Sequence, residues 1–218
     1  MIKIENIEVF GWESAIRGMR NPLNSWGKSD SVYGTYWGDI DGHECSDRDG
    51  FCIGSNDLDL MKKLIAAGSD HSKFMRMINV TLDITAPLYW WKEFDTYKVG
   101  TVRNSCSTMH KIHSKEFTLD DFSHEHLNDG SLNILDMTIY HLNAYRDEFL
   151  RTSDKNDWWQ MIQLLPSSYN QRATVQLNYA VLRNMYHSRK NHKLDEWREF
   201  CKWIESLPYS ELITGGKK

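Results

Sequence analysis

Hydrophobic and polar residues alternate most cleanly over residues 79–85, where Val80, Leu82 and Ile84 interleave with Asn79, Thr81, Asp83 and Thr85. A period of two is the signature of a strand with one face buried. The pattern breaks at Ala86-Pro87. Thr85 is suited to cap a following helix, and Pro87 to take one of its first positions, where the missing N–H costs nothing and φ is already helical. A helix is therefore expected over residues 88–95. Near the start of the chain Ile2 and Ile4 alternate, and the phase then shifts to Ile7 and Val9. That shift predicts a strand carrying a bulge.

Helical spacing dominates the rest. Leu58, Met61, Leu64 and Ile65 share one face over residues 56–67, and Leu132, Leu135, Ile139, Leu142 and Phe149 mark a long helix opened by Ser131. A further helix over residues 154–165 is stopped by Pro166. Ser168-Tyr169-Asn170-Gln171 reads as a capping box, so a helix is expected from there to Ser188, with Asn178 and Met185 on a face that leads toward Arg189. Asp195 is placed to cap a last helix whose apolar stripe is Trp197, Phe200, Cys201, Ile204 and Leu207. Residues 21–54 form a polar, glycine-rich segment suited to a lid or subunit-contact loop, and residues 214–218 a flexible tail. The expected architecture is α+β, a single domain over residues 1–218, mainly helical around one sheet.

Composition narrows the function classes. With 218 residues and 40% hydrophobic content the chain can bury a core as one domain. A net charge of −4 without a run of like charges argues against a nucleic-acid polymer as partner and for small anionic ligands held by a few local cations. No apolar run approaches the roughly 18 residues that a membrane span requires. The start MIKIENIEVF lacks the layout of a signal peptide, so a cytoplasmic protein with Cys45, Cys52, Cys106 and Cys201 as reduced thiols is expected. Trp90-Trp91 and Trp158-Trp159 are adjacent on expected helices and cannot both face one way. One of each pair is expected to meet another subunit or a ligand.

Chemistry concentrates in residues 96–108, where Thr96, Tyr97, Lys98, Thr101, Arg103, Asn104, Ser105, Cys106, Ser107 and Thr108 offer hydroxyls, cations and a thiol to an anion. Two readings stand for each singled-out residue. Cys106 is a packed thiol or a nucleophile, Asn178 a satisfied amide or a ligand contact, and Arg189 a complement to a helix dipole or a ligand contact. His110, His113, His124 and His126 lack a helical Glu partner or an accompanying Cys-x-x-Cys, and His43, Cys45 and Cys52 lack a fourth ligand at recognised spacing. No metal is expected.

The order of a strand, Ala86-Pro87, an aromatic-rich helix, a triplet and a hydroxyl-rich turn resembles the signature region of the flavin-dependent thymidylate synthase (ThyX) family. In that family the helix leads into Arg-His-Arg, followed by Ser, by Asn-Glu and by Ser-x-Arg-Tyr. Laid over it without gaps, this chain has Thr96-Tyr97-Lys98 at Arg-His-Arg, Thr101 at the first Ser, Arg103-Asn104 at Asn-Glu, and Cys106-Ser107-Thr108-Met109 at Ser-x-Arg-Tyr. Upstream, LMKKLIAAGSDHSKFMRM is similar to the family's helix and following loop and sets His71 near a His that lies close to the flavin. Downstream, Leu165-Pro166 is followed at family-like spacing by Asn178, Leu182, Asn184 and Arg189, while two further family arginines fall at Ile162 and Ala180.

The resemblance implies a mixed sheet packed with long helices and a homotetramer whose active sites are built from several subunits. It implies reductive methylation of a pyrimidine nucleotide, dUMP or a relative, at carbon 5, with FAD, NADPH and methylenetetrahydrofolate. By resemblance Arg189 takes the catalytic, nucleotide-gripping position, with Ser105, Cys106 and Ser107 on the nucleotide side and His71, Tyr97, Lys98 and Asn178 on the flavin side. Lys98 keeps the charge of the triplet's last Arg without its bidentate fork, and Thr96 and Tyr97 keep neither charge nor imidazole. A second reading is therefore a relative that binds a nucleotide and has lost flavin-dependent catalysis.

Overall fold

The structure is a computed structural model that describes residues 2–34 and 50–215. Much of the expected lid, with His43 and Cys45, and residues 216–218 of the expected tail lie outside the described residues. Among the described residues six strands, β1 (Lys3–Phe10), β2 (Val32–Tyr33), β3 (Phe51–Cys52), β4 (Asn79–Pro87), β5 (Val102–Ser105) and β6 (Asn170–Asn178), form a four-stranded sheet in the order β1-β4-β6-β5 and an antiparallel β2–β3 ribbon. Helices are α1 (Trp12–Arg20), α2 (Ser55–Ala66), α3 (Leu88–Phe94), α4 (Thr108–Lys111), α5 (Asp129–Thr152), α6 (Lys155–Leu164), α7 (Tyr179–Arg189), α8 (Asp195–Glu205) and α9 (Glu211–Thr214). This is the α+β class that the patterning predicts.

β4 behaves as its alternation demands: Val80, Leu82, Ile84 and Ala86 are fully buried, while the residues between them are partly exposed. The strand runs through Pro87, however, so Thr85 stays in the sheet and caps nothing. The free amides at the start of α3 are met by backbone instead, Leu88 and Tyr89 donating to the carbonyls of Tyr169 and Ser167 at 3.0 Å each. In β1 Asn6 adopts φ 52 between the two halves of the strand, with Ile4 and Val9 partly buried and Ile7 exposed.

The largest correction concerns residues 168–188. Gln171, Ala173, Val175 and Leu177 are buried and Arg172, Thr174 and Gln176 exposed, which is a strand and not a helix opened by Ser168. The helix starts only after Asn178, whose side-chain oxygen accepts the Val181 N–H at 3.1 Å as its cap. Several elements were not expected from the patterning, among them β2 and β3 within the expected loop over residues 21–54, and the short helices α4 and α9. β5 replaces part of the expected polar loop, and α1 follows Gly11, whose φ of 96 and whose 2.1 Å approach of an added Cβ to the Met77 carbonyl exclude any other residue.

Two compact units share the chain, which passes from one to the other within β1, β4 and β6. The first comprises residues 2–5, 83–96 and 103–174. Its core joins Ile112, Phe117, Phe122, Leu135, Leu142 and Met161, and it also buries both Trp90 and Trp91, ring centroids 5.0 Å apart. That pair therefore meets its own core and not a partner, because Trp91 turns its indole N–H to the Gln171 carbonyl at 2.9 Å. The other pair does divide: Trp158 packs against the core and Trp159 is 40% exposed. Cys106 and Cys201 are free thiols, whereas Cys52 is disulfide-bonded, against the expectation of reduced cysteines. No helix of the described residues is long and apolar enough to cross a membrane.

The second unit comprises residues 6–34, 50–82, 97–102 and 175–215. Trp12, Met61, Ile78, Tyr179, Trp197, Phe200 and Ile204 are buried in it, together with a charged pair. Asp57 is wholly buried; its Oδ1 takes Nε and Nη2 of Arg20 at 2.7 Å each, and its Oδ2 takes the hydroxyls of Ser29 and Ser31 at 2.6 and 2.7 Å. Burial alone would raise the Asp57 carboxyl, but the hydrogen bonds from Ser29, Ser31 and Arg20 hold it below its ordinary 3.8. Asp57→Ala strands the Arg20 guanidinium in the core and is expected to lower the unfolding free energy by about 3–5 kcal/mol in urea denaturation. Because the native carboxyl titrates below 3.8, its stabilisation is complete above that pH and is lost as the pH falls below it. Asp57→Asn should remove that part of the acid dependence, and an unaltered profile would refute it.

Candidate functional site

In the first unit the turn after β5 is held by one amide. The Cys106 N–H donates to the Arg172 carbonyl at 2.8 Å, and Gln171 Nε2 donates to the Cys106 carbonyl at 2.7 Å. The other end of that amide, Oε1, accepts Arg103 Nη2 at 2.9 Å. Arg103 also donates to both oxygens of Asp95 at 2.8 Å and stacks 4.2 Å above the Trp91 ring. The strongest cation of the expected donor loop is thus committed to holding the loop. Ser105 ends β5, Cys106 is exposed, and Ser107 caps α4, its Oγ accepting the His110 N–H at 3.1 Å. The Ser107 hydroxyl hydrogen remains available to an acceptor.

Beside this turn opens a cleft of about 630 Å³. Cys106, Ser107, Thr108 and Lys111 line it together with Lys3, Lys115, Tyr169, Asn170, Arg172, Asp120, Asp121, His124 and Glu125. It therefore presents both signs of charge. Lys115 pairs with Asp121, which also closes a capping box with Thr118. Arg172 donates to Asp83 at 2.8 Å, and that bond raises the guanidinium further above its ordinary range. Burial, with the nearby Asp121 and Cys106, raises the Tyr169 phenol. At neutral pH Tyr169 is therefore a hydroxyl donor. The His124 ring places Nδ1 2.8 Å from the Phe122 carbonyl, which can only accept, so the neutral ring carries its proton there and leaves Nε2 as an acceptor.

The remaining expected residues lie in the second unit. Arg189 Nε donates to the Tyr97 hydroxyl at 2.9 Å, and its guanidinium lies 5.6 Å from the Tyr97 ring centre and 4.9 Å from that of Trp197. Asn178 is the α7 cap and abuts Gly100, where an added Cβ would come 2.9 Å from Asn178 Nδ2. It does not lie along a helix face, as the expected helix over residues 168–188 required. Lys98 and His71 are exposed. A hollow of about 490 Å³ joins the loop around His71, through Gly68, Ser69, Ser72 and Arg76, to α7, through Ala180, Arg183 and Asn184. Arg183 also donates to the carbonyls of Leu212, Ile213 and Gly215. Burial lowers its pKa.

The structure thus brings Cys106 together with Ser107 in one unit and Arg189 together with Tyr97 in the other. Lys111, Tyr169 and Arg172 were missed. Lys111 stands one helical turn after Thr108, a spacing visible in the chain, whereas Tyr169 and Arg172 were hidden by the helical reading of their segment. Among the described residues no group of three metal-ligating side chains occurs.

No protein-family model matches the chain, and no curated protein matches it in sequence. Solved structures match its fold. Thymidylate synthase X (ThyX) from Helicobacter pylori, crystallised with FAD and dUMP, superposes with a TM-score of 0.67 at 16% identity, over 98% of this chain and 97% of that one. A second structure of the flavin-dependent thymidylate synthase ThyX from Helicobacter pylori, with FAD and dUMP, gives 0.66 at 17% identity over 97% of each chain. The UMP/dUMP methylase PolB from Streptomyces cacaoi, bound with 5-Br dUMP, gives 0.59 at 12% identity over 98% and 95%. The chain has the ThyX fold.

The two free thiols provide a test of the site's exposure. Cys201 is buried and its thiol is pushed up to about 12, first by burial and then by the Glu205 carboxylate. Iodoacetamide at neutral pH is expected to label Cys106 and to spare Cys201 until the protein unfolds, as read by peptide mass spectrometry. Equal labelling of both in the folded protein would contradict this arrangement.

Proposed function

We propose that this chain is a divergent ThyX-like enzyme that methylates a pyrimidine nucleotide, dUMP or a close relative, at carbon 5. One observation carries the reading: in a fold shared with proteins crystallised with dUMP, the turn at Cys106-Ser107 lines a cleft presenting cations, carboxylates and neutral donors. A nucleotide has that same division, an anionic phosphate at one end and N–H and O–H donors on base and sugar. In this reading Cys106, Ser107 and Tyr169 donate to the nucleotide, and Asp120 and Glu125 accept from it. Ser105 ends the strand that sets the turn. By resemblance Arg189, in the second unit beside Tyr97 and Trp197, takes the family's nucleotide-gripping position.

The chemistry of the second unit's hollow fits FAD. Ser69, Ser72, Arg76 and Asn184 offer donors for a diphosphate, and Ile65, Ala66 and Met75 an apolar floor for a flat ring. By resemblance His71, Tyr97, Lys98 and Asn178 take the flavin side. Bound FAD supplies the hydride, renewed from NADPH, for a one-carbon unit from methylenetetrahydrofolate. A homotetramer is supported by the exposed apolar stripe of α5, where Ile134, Met137 and Tyr140 are 70%, 61% and 69% exposed. One observation favours a nucleotide-binding relative without flavin chemistry: Tyr97, at the triplet's central position, spends its hydroxyl on Arg189.

The test is a calorimetric titration of the full chain with dUMP, followed by incubation with FAD, desalting and a visible spectrum. Binding of dUMP with retained flavin bands is expected, and dUMP should protect Cys106 from alkylation. A colourless protein that still binds dUMP would select the second reading, and no binding of dUMP would overturn both.

A further inference from the structure

The arginines that the resembled family carries at two positions are Thr108 and Ile162 here, so a nucleotide phosphate in the cleft needs a cation from elsewhere. Ile162 is packed against the apolar cluster of Phe117, Phe122 and Met161 and offers nothing to an anion. Thr108 does line the cleft, and three residues on, one turn along α4, so does Lys111. Four cations border this cavity. Lys3 pairs with Glu5 at 2.8 Å, Lys115 with Asp121, and Arg172 with Asp83 at 2.8 Å. Lys111 is exposed and forms no ion pair among the described residues.

We infer that Lys111 is the phosphate contact of this cleft, supplying from the end of α4 the charge missing at Thr108 and Ile162. The inference rests on the nucleotide reading above. The physical basis is a difference in what each cation must give up. Lys3, Lys115 and Arg172 already hold a carboxylate, so a phosphate reaching them competes with an existing partner. For Lys111 the ligand is the first counter-charge. The hydroxyls of Ser107 and Thr108 lie on the same short segment and complete the donor set. An ammonium on a flexible stem suits this role, since it meets a phosphate as a point charge without the fixed fork that an arginine at position 108 would present.

The experiment compares wild type, Lys111→Ala and Lys111→Arg by calorimetric titration with dUMP, and repeats the wild-type titration in inorganic phosphate as competitor. Loss of a charge-assisted hydrogen bond is expected to weaken dUMP binding by about tenfold or more in Lys111→Ala, and Lys111→Arg should restore most of it. Inorganic phosphate should compete with dUMP in wild type and lose that ability in Lys111→Ala. Because the side chain is exposed, the melting temperature of both variants should match wild type. If Lys111→Ala binds dUMP as wild type does, or remains equally sensitive to inorganic phosphate, the inference falls while the nucleotide reading stands. If wild type does not bind dUMP, the nucleotide reading itself has failed and the inference falls with it.

Discussion

The amide of Gln171 is the joint on which the first unit's candidate site depends. Its main-chain carbonyl takes the Trp91 indole, its side-chain oxygen takes Arg103, and its side-chain nitrogen holds the Cys106 carbonyl. The residue is only 8% exposed, so each of those polar groups must be satisfied inside the protein or lose free energy. A buried amide with all its groups engaged permits one placement of the turn at Cys106-Ser107. Arg103 extends the constraint through Asp95 and the Trp91 ring, linking the end of α3 to β5. The cleft's walls are thus set by a polar network within an otherwise aromatic core.

The second unit uses charge in a similar way. Asp57 gathers Arg20, Ser29 and Ser31, while Asp30 returns the favour by accepting the Asn56 and Asp57 N–H groups at the start of α2. The reciprocal pair ties residues 29–31 to two helices. Arg189 makes a hydrogen bond to Tyr97 and lies against the Tyr97 and Trp197 rings, contacts that orient its guanidinium.

A shared fold does not fix the side chains of a site. At 16% identity to a ThyX structure, this chain has the same fold with largely different side chains. The cleft is bordered by cations, among them Lys111 and Arg172, which reach it from α4 and β6. Backbone geometry constrains where a ligand fits, and several positions around it can carry the charge. Function on such a scaffold must accordingly be argued from the side chains present.

Strong local periodicities were legible in the sequence. The alternation of Val80, Leu82 and Ile84, the stripe of α8 and the stop at Pro166 each act through contacts a few residues apart, so the chain declares them. Residues 168–178 carried two local signals at once, a capping box and an alternation of Gln171, Ala173, Val175 and Leu177. Only neighbouring strands able to accept β6 into the sheet decided between them, and that choice made Asn178 a cap and carried Tyr169 and Arg172 to the cleft. Buried Asp57 and the free charge of Lys111 were likewise invisible, because burial and ion pairing depend on residues distant in the chain. The sequence by itself determined the class of elements and the cluster of donors near Cys106. The tertiary structure decided which donors face a common space, since that is settled by hydrogen bonds and packing between segments the chain brings together only on folding.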